Sequence, residues 1–318
     1  MTMIDDRVHR ELRSVWDAIP PLAIDDVPNA REQSRVMAVP VAHDPAIVWA
    51  GTLVPGPPGA PPISVRTFVL NARPARPIPA LVWIHGGGYI FGRAEDSDAL
   101  AQLFARETGA YVISVDYRLA PEDPFPCGLE DCYAVLTWLA GESRGLGVDP
   151  GRIAVGGASA GGGLAAALAL LARDRGGPAI AFQMPLYPML DDRNLTPASR
   201  EVTDDRTWSR AKNLSAWRHY LGHEPGGEEV SFYAAPARAR DLSGLPPAYT
   251  MVGTVDLFRD ETLDYVCRLS QAGVAVECHV VPGGFHGFEH LVPDAEVSRR
   301  AQREYVNALA RGLYGQFI

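Results

Sequence analysis

The sequence predicts an α/β fold: a mostly parallel eight-stranded sheet with helices on both faces. Three observations carry the prediction. Eight apolar runs of strand length are spread along the chain. Several are continuous rather than alternating, as expected of strands buried on both faces. From Ala80 onward these runs alternate with helical patterns, and that alternation builds a parallel sheet between two helical layers.

The eight runs are Ile47–Val54, Ile63–Leu70, Ala80–His85, Tyr111–Tyr117, Arg152–Gly156, Ala181–Tyr187, Ala248–Gly253 and Val276–Val281. The first two flank the Pro-rich stretch 55–62, which suits a hairpin-type loop at a sheet edge. Helical patterns fall at Asp96–Thr108, Leu129–Ala140, Gly161–Arg175, Phe258–Ala272 and Ala295–Leu313. Residues 1–45 read as helical, with Val8, Leu12, Val15 and Trp16 at helical spacing before a break at Pro20 and Pro21. The stretch from Leu190 to Leu245 breaks the strand–helix rhythm and reads as an insertion over the sheet rather than a second domain. The whole chain, 1–318, is therefore expected to form one domain.

Bulk properties exclude several function classes. A net charge of -9 argues against a phosphate-binding surface, so no nucleic-acid partner is expected. No stretch approaches the ~20 apolar residues of a membrane span. The acidic N-terminus lacks the apolar core of a signal peptide, which makes a cytoplasmic location the expectation. Cys127, Cys132, Cys267 and Cys278 lack C-x-x-C spacing, so neither a zinc site nor a redox pair is suggested. Cys132 and Cys267 fall in helical patterns, where a thiol is usually a small core residue.

The strongest motif is Gly157-Ala158-Ser159-Ala160-Gly161, between the run ending at Gly156 and an Ala/Leu-rich helix. A G-x-S-x-G in a strand–turn–helix setting places the serine on a sharp, strained turn with its hydroxyl exposed. Glycines on either side let strand and helix pack closely around it. The rival reading, a phosphate loop, would want a Lys before Ser/Thr or a G-x-G-x-x-G fingerprint. Upstream, His85-Gly86-Gly87-Gly88-Tyr89 closes another strand. Its glycines leave amides free to meet an oxyanion, and Gly87, Gly88 and Ala160 are the expected donors. His85 ends the strand on the wrong side of that loop and reads as structural.

A serine nucleophile of this kind needs an acid and then a histidine further along the chain. Asp256 follows the run Ala248–Gly253, and His286 follows Val276–Val281. Strand C-terminal ends are where open α/β sheets present reactive groups. The rival acids Asp260, Glu261 and Asp264 lie in the next helix and read as dipole partners or solvated charges. His279 lies within a strand, and His290 beyond the turn.

On these motifs the chain resembles the hormone-sensitive-lipase-like esterases of the α/β-hydrolase fold. Further matching segments are Asp116-Tyr117-Arg118-Leu119-Ala120-Pro121-Glu122, Gly244-Leu245-Pro246-Pro247, Asp256-Leu257-Phe258-Arg259-Asp260-Glu261 and Phe285-His286-Gly287-Phe288. The resemblance implies a Ser159–His286–Asp256 triad acting on short- to medium-chain carboxylic esters, with no cofactor and no metal. It implies that Arg118 and Glu122 brace the oxyanion loop, and that 1–45 and 190–235 form a helical cap. One position departs: the family usually carries Asp before the serine, and Ala158 stands here.

Tyr89, Phe91 and Trp208 are candidate walls of the substrate pocket. The side-chain-free loop Gly86–Gly88 is expected to leave room for esters of bulky tertiary alcohols. Two other readings share the fold. An amidase or deacylase would use the same triad, and a binding protein would resemble the gibberellin receptors, which have lost the histidine that this chain retains. The resemblance admits a homodimer paired through the last edge strand and leaves the oligomeric state open.

Overall fold

The computed structural model describes residues 5–20, 24, 26–37, 41–72 and 74–317. Pro21 and parts of the stretch 1–45 lie outside them.

The eight strands are β1 (Ile47–Val54), β2 (Ile63–Leu70), β3 (Ile78–Ile84), β4 (Tyr111–Asp116), β5 (Val148–Ala158), β6 (Phe182–Leu186), β7 (Ala248–Gly253) and β8 (Val276–Val281). They form one sheet in the order β1-β2-β4-β3-β5-β6-β7-β8. β2 runs antiparallel to β1 and β4, and every other pairing is parallel. The sequence runs match these strands closely. β3, β4, β6 and β7 are buried almost throughout, which explains their continuous apolar character.

Two strands extend beyond their apolar runs. β3 starts at Ile78 and includes Pro79, a residue that lacks a donor for the ladder. The register shifts between Ile78 and Ala80, so the irregularity absorbs the proline. β5 starts at Val148 because Asp149-Pro150-Gly151, a turn by composition, continues the strand.

Helices cover both faces: α3 (Asp98–Thr108), α4 (Cys127–Gly141), α6 (Ala160–Arg175), α9 (Arg259–Gln271) and α11 (Glu296–Leu313) are among the longer ones. α5 (Ser143–Leu146), α7 (Pro197–Glu201) and α10 (Phe288–Leu291) are short. α6 is buried along most of its length, since its Ala and Gly residues let the sheet approach closely. Near the N-terminus the expected helical pattern resolves into two 3₁₀ turns, α1 (Arg13–Ala18) and α2 (Val27–Met37). Val8, Leu12 and Trp16 are buried there, as their spacing predicts. Cys132 is buried in α4, but Cys267 on α9 is exposed, contrary to the core role expected of it.

The strand order positions the site. β3 sits between β4 and β5, so the loop after β3 and the turn after β5 emerge side by side, with Ile84 opposite Gly157. β7 and β8 deliver their own loops at the same C-terminal edge. The insertion supplies α8 (Arg210–Leu221), whose Tyr220 ring stacks on Tyr89 at 3.9 Å.

Candidate active site

Ser159 occupies the turn between β5 and α6 with φ 59° and ψ -121°. A side chain at positive φ is strained and persists only where its surroundings over-determine it. Here they do. The Ser159 amide donates to Leu186 O, and its carbonyl accepts from the amides of Gly163 and Met189, all at 3.0 Å. The glycines around it permit the crossing. A Cβ on Gly161 would collide with the carbonyl oxygens of Ile84 and His85, and one on Gly157 with the Gly161 carbonyl.

Asp256 and His286 meet Ser159 from the loops after β7 and β8. Ser159 Oγ lies 2.9 Å from His286 Nε2, and His286 Nδ1 lies 2.9 Å from Asp256 Oδ2. The other Asp256 oxygen accepts from the Phe258 amide at 2.9 Å, which fixes the carboxylate in a buried position. Tyr187 and Phe258 hold the imidazole between them, each edge-on with centroids 5.1 Å away. A buried carboxylate on Nδ1 sets the tautomer that leaves Nε2 free to take a proton from the serine hydroxyl.

The glycine loop lies beside the serine turn: a Cβ on Gly86 would come 3.3 Å from Ser159 Cβ. Gly87 and Gly88 have φ of 117° and 59°, values that glycine tolerates and other residues rarely adopt. Gly87 O accepts from the Ile90 and Phe91 amides, which tightens the turn. Among the described residues, the amides of Gly87, Gly88 and Ala160 donate no hydrogen bond. Ala160 opens α6, so the positive end of that helix adds to its amide.

The rival groups lie elsewhere. His85 is buried, stacks on Tyr117 at 4.3 Å, and its Nδ1 lies 2.7 Å from Gly86 O. Burial lowers its pKa, and it shares no hydrogen bond with Ser159. Asp260 caps Ala198 N and pairs with Arg259. Glu261 departs from the solvated charge expected of it. It is buried, accepts from the Leu190 and Asp191 amides, and burial pushes its carboxyl well above the usual range. His279 pairs with Glu277 and Glu304 at the sheet edge.

Three sequence expectations about the loop change. Tyr89 is only 1% exposed, and its hydroxyl donates to Met189 O at 3.0 Å. At φ 65° its side chain turns inward, so it props the loop against α8 instead of walling a pocket. Arg118 does not brace the loop either: its fork grips the buried Asp131 and steadies the segment leading into α4. Glu122 reaches the loop through Arg31 on α2, which it binds with both oxygens at 2.8 and 2.7 Å. Arg31 in turn donates to Ile90 O at 2.7 Å and to Ala120 O at 2.9 Å. Sequence reasoning missed Arg31. One arginine in a polar helix gives no signal when its partners are main-chain oxygens 59 and 89 residues away.

Phe91 and Trp208 do flank the glycine loop, with ring centroids 6.2 Å apart. A Cβ on Gly88 would clash with the Trp208 ring, 2.3 Å from its nearest carbon. The space that the missing side chain would leave for a tertiary alcohol is thus taken by indole. Trp208 Nε1 donates to Asn213 Oδ1 at 3.0 Å, and Lys212 Nζ donates to the Asp205 and Thr207 carbonyls. The chain's single lysine therefore pins the loop that carries Trp208.

Among the described residues no group of three or more His, Cys, Asp or Glu side chains could hold a metal ion. No described helix is long and apolar enough to cross a membrane.

Comparison with known proteins identifies the family. Residues 81–290 match the family model described as alpha/beta hydrolase fold. Esterase LipI of Mycobacterium tuberculosis is 38% identical over 291 residues, covering 89% of each chain. Carboxylesterase NlhH of the same species is 37% identical, over 74% of this chain and 75% of its own. Among solved structures, a bacterial heroin esterase superposes with a TM-score of 0.93 at 42% identity, over 97% of this chain and 98% of its own. Esterase LipW of Mycobacterium marinum gives 0.87 at 35%, over 99% and 98%. The chain belongs to the alpha/beta hydrolase fold family, in its hormone-sensitive-lipase-like branch.

Proposed function

We propose that this protein is a serine carboxylesterase that hydrolyses short- to medium-chain esters through an acyl-enzyme. One observation carries the reading: the unbroken Ser159–His286–Asp256 hydrogen-bond chain, with both links at 2.9 Å, beside the amides of Gly87, Gly88 and Ala160, which donate no hydrogen bond among the described residues. The esterase relatives described above support the same activity.

In this mechanism Ser159 Oγ attacks the ester carbonyl carbon as its proton passes to His286 Nε2. Asp256 keeps the ring oriented and stabilises the imidazolium. The carbonyl oxygen gains charge against the amides of Gly87, Gly88 and Ala160. The tetrahedral adduct collapses, His286 gives its proton to the leaving alcohol, and Ser159 is left acylated. Water then attacks the acyl carbon, loses a proton to His286, and the acid leaves as Oγ regains that proton. Amide hydrolysis would follow the same steps, and the kinship with an esterase and a carboxylesterase favours the ester.

We read α1, α2 and the 190–235 segment as a cap over this machinery, with Phe91 and Trp208 as pocket walls. The expected substrate is a small-molecule ester in aqueous solution, and a cytoplasmic location with pairing through β8 remains part of the proposal.

Labelling with a fluorophosphonate followed by peptide mapping tests the assignment. The label is expected on Ser159, and Ser159→Ala is expected to fold normally and lose at least about a thousandfold in turnover. A label elsewhere, or undiminished activity in Ser159→Ala, would overturn it.

A further inference from the structure

Behind the imidazole lies a carboxylate that the mechanism above does not use. Glu289, on α10, is 1% exposed. Its Oε1 accepts from the Tyr187 hydroxyl at 2.6 Å. Its Oε2 has no hydrogen-bond partner among the described residues. Tyr187 presents its ring edge-on to His286, at 79° between planes. It does so from a strained backbone, φ 33°, anchored by its amide to Met251 O at 2.8 Å. Gln302 Nε2 on α11 holds the Glu289 carbonyl at 3.1 Å. Carboxylate, phenol and imidazole thus form one line running inward from the site.

Packing alone does not account for this arrangement. A buried carboxyl with one satisfied oxygen costs stability, and an apolar side chain would fill the space without that cost. A bulky residue at positive φ costs more. Such expense concentrates where geometry serves chemistry.

We infer that Glu289 is a positioning residue for the reaction: through Tyr187 it holds the His286 ring with Nε2 on Ser159, and its charge favours the imidazolium that forms when Ser159 loses its proton. The inference rests on the triad reading given above. The groups that face Glu289 are Tyr187 after β6, Asp256 after β7, His286 after β8, Tyr249 on β7 and Tyr305 on α11. Burial pushes the Glu289 carboxyl up to about 7, while Tyr187 and His286 draw it down. The carboxylate therefore forms as pH rises through about 7, so its assistance is lost below that value and complete above it.

The test is kcat/KM for a soluble short-chain p-nitrophenyl ester, followed from mildly acid to mildly alkaline pH. Glu289→Gln keeps the size and the acceptor but cannot ionise. It is expected to lose about tenfold to a hundredfold at alkaline pH, mostly in kcat, the loss of one charged hydrogen-bond partner. Its acid limb should also lose the ionisation centred near 7. Tyr187→Phe keeps the ring but removes a donor that lowers the Glu289 pKa, so its acid limb should move to higher pH. Combined, the two substitutions should cost less than their sum. A Glu289→Gln or Tyr187→Phe enzyme with wild-type rate and profile, or strictly additive losses, would overturn the inference. Tyr187→Phe alone decides the matter if Glu289→Gln does not fold. Activity surviving Ser159→Ala would defeat the triad reading as well. An inert Ser159→Ala beside an unaltered Glu289→Gln would remove this inference alone.

Discussion

Replacing Arg31 with alanine should damage catalysis although the residue lies on α2, outside the reacting groups. Its Nε and Nη2 donate to Ile90 O and Ala120 O at 2.7 and 2.9 Å. Hydrogen bonds from a charged donor contribute about 1.5–3 kcal/mol each. The Arg31 side chain is 28% exposed, which places them at the low end. The pair with Glu122 adds about 0–1 kcal/mol, since that carboxylate is 58% exposed. The loop thus loses roughly 3–4 kcal/mol of support. Among the described residues it keeps the Ala120 amide on Tyr89 O, the Tyr89 hydroxyl on Met189 O, the Tyr117 hydroxyl on His85 O and its own Ile90 and Phe91 amides on Gly87 O. Loss of one oxyanion donor costs on the order of a hundredfold in kcat. A loosened loop misaligns two donors part of the time, so a fall of roughly tenfold to a hundredfold in kcat is expected, with KM little changed. Arg31→Lys should behave nearly as badly, because an ammonium cannot reproduce the fork. Steady-state kinetics on a short-chain ester and a thermal melt provide the two readouts. If Arg31→Ala loses melting temperature but keeps wild-type kcat, the bond supports the fold and not the oxyanion loop.

Three further outcomes are expected. Asp256→Asn should fold and lose on the order of ten-thousandfold in kcat, while Asp260→Asn keeps most activity; the reverse ranking in steady-state assays would show the wrong acid had been chosen. Gly161→Ala should yield no active soluble enzyme, because its Cβ would meet backbone oxygens of Ile84 and His85 that cannot move aside, and a folded, active variant by circular dichroism and assay would contradict the packing described here. Trp208→Ala should cost about 3–5 kcal/mol of stability and raise relative turnover of tert-butyl over ethyl acetate, as the space beside Gly88 opens; unchanged selectivity would mean that the indole does not border the substrate.

Much of the fold is legible in the sequence because burial on both faces leaves a direct trace. β3 and β7 are buried at every position, and each reads as a continuous apolar run. The elbow is legible for a different reason. Gly157 and Gly161 stand where a Cβ would strike backbone, and a steric demand on backbone can be met by one residue type only. Asp256 and His286 follow from chain order and from strand ends, which the apolar runs locate.

The errors share a physical origin, because sequence periodicity reports which face a residue occupies and not what its polar atoms touch. Glu261 and Glu289 look like ordinary acids near helix starts. One satisfies two main-chain amides and the other holds a tyrosine hydroxyl, both out of water. Tyr89 was misplaced by the sign of one dihedral: at φ 65° its ring leaves the pocket side for the core, and only glycine announces positive φ in a sequence. Arg31, Glu289 and Lys212 all act on the site from one shell away. Each binds a partner whose chain position is unrelated to its own, such as a carbonyl oxygen that every residue type carries. Support of that kind leaves no composition or spacing to read, and so the three side chains that the structure joins by hydrogen bonds are legible in the sequence while most of what holds them in place is not.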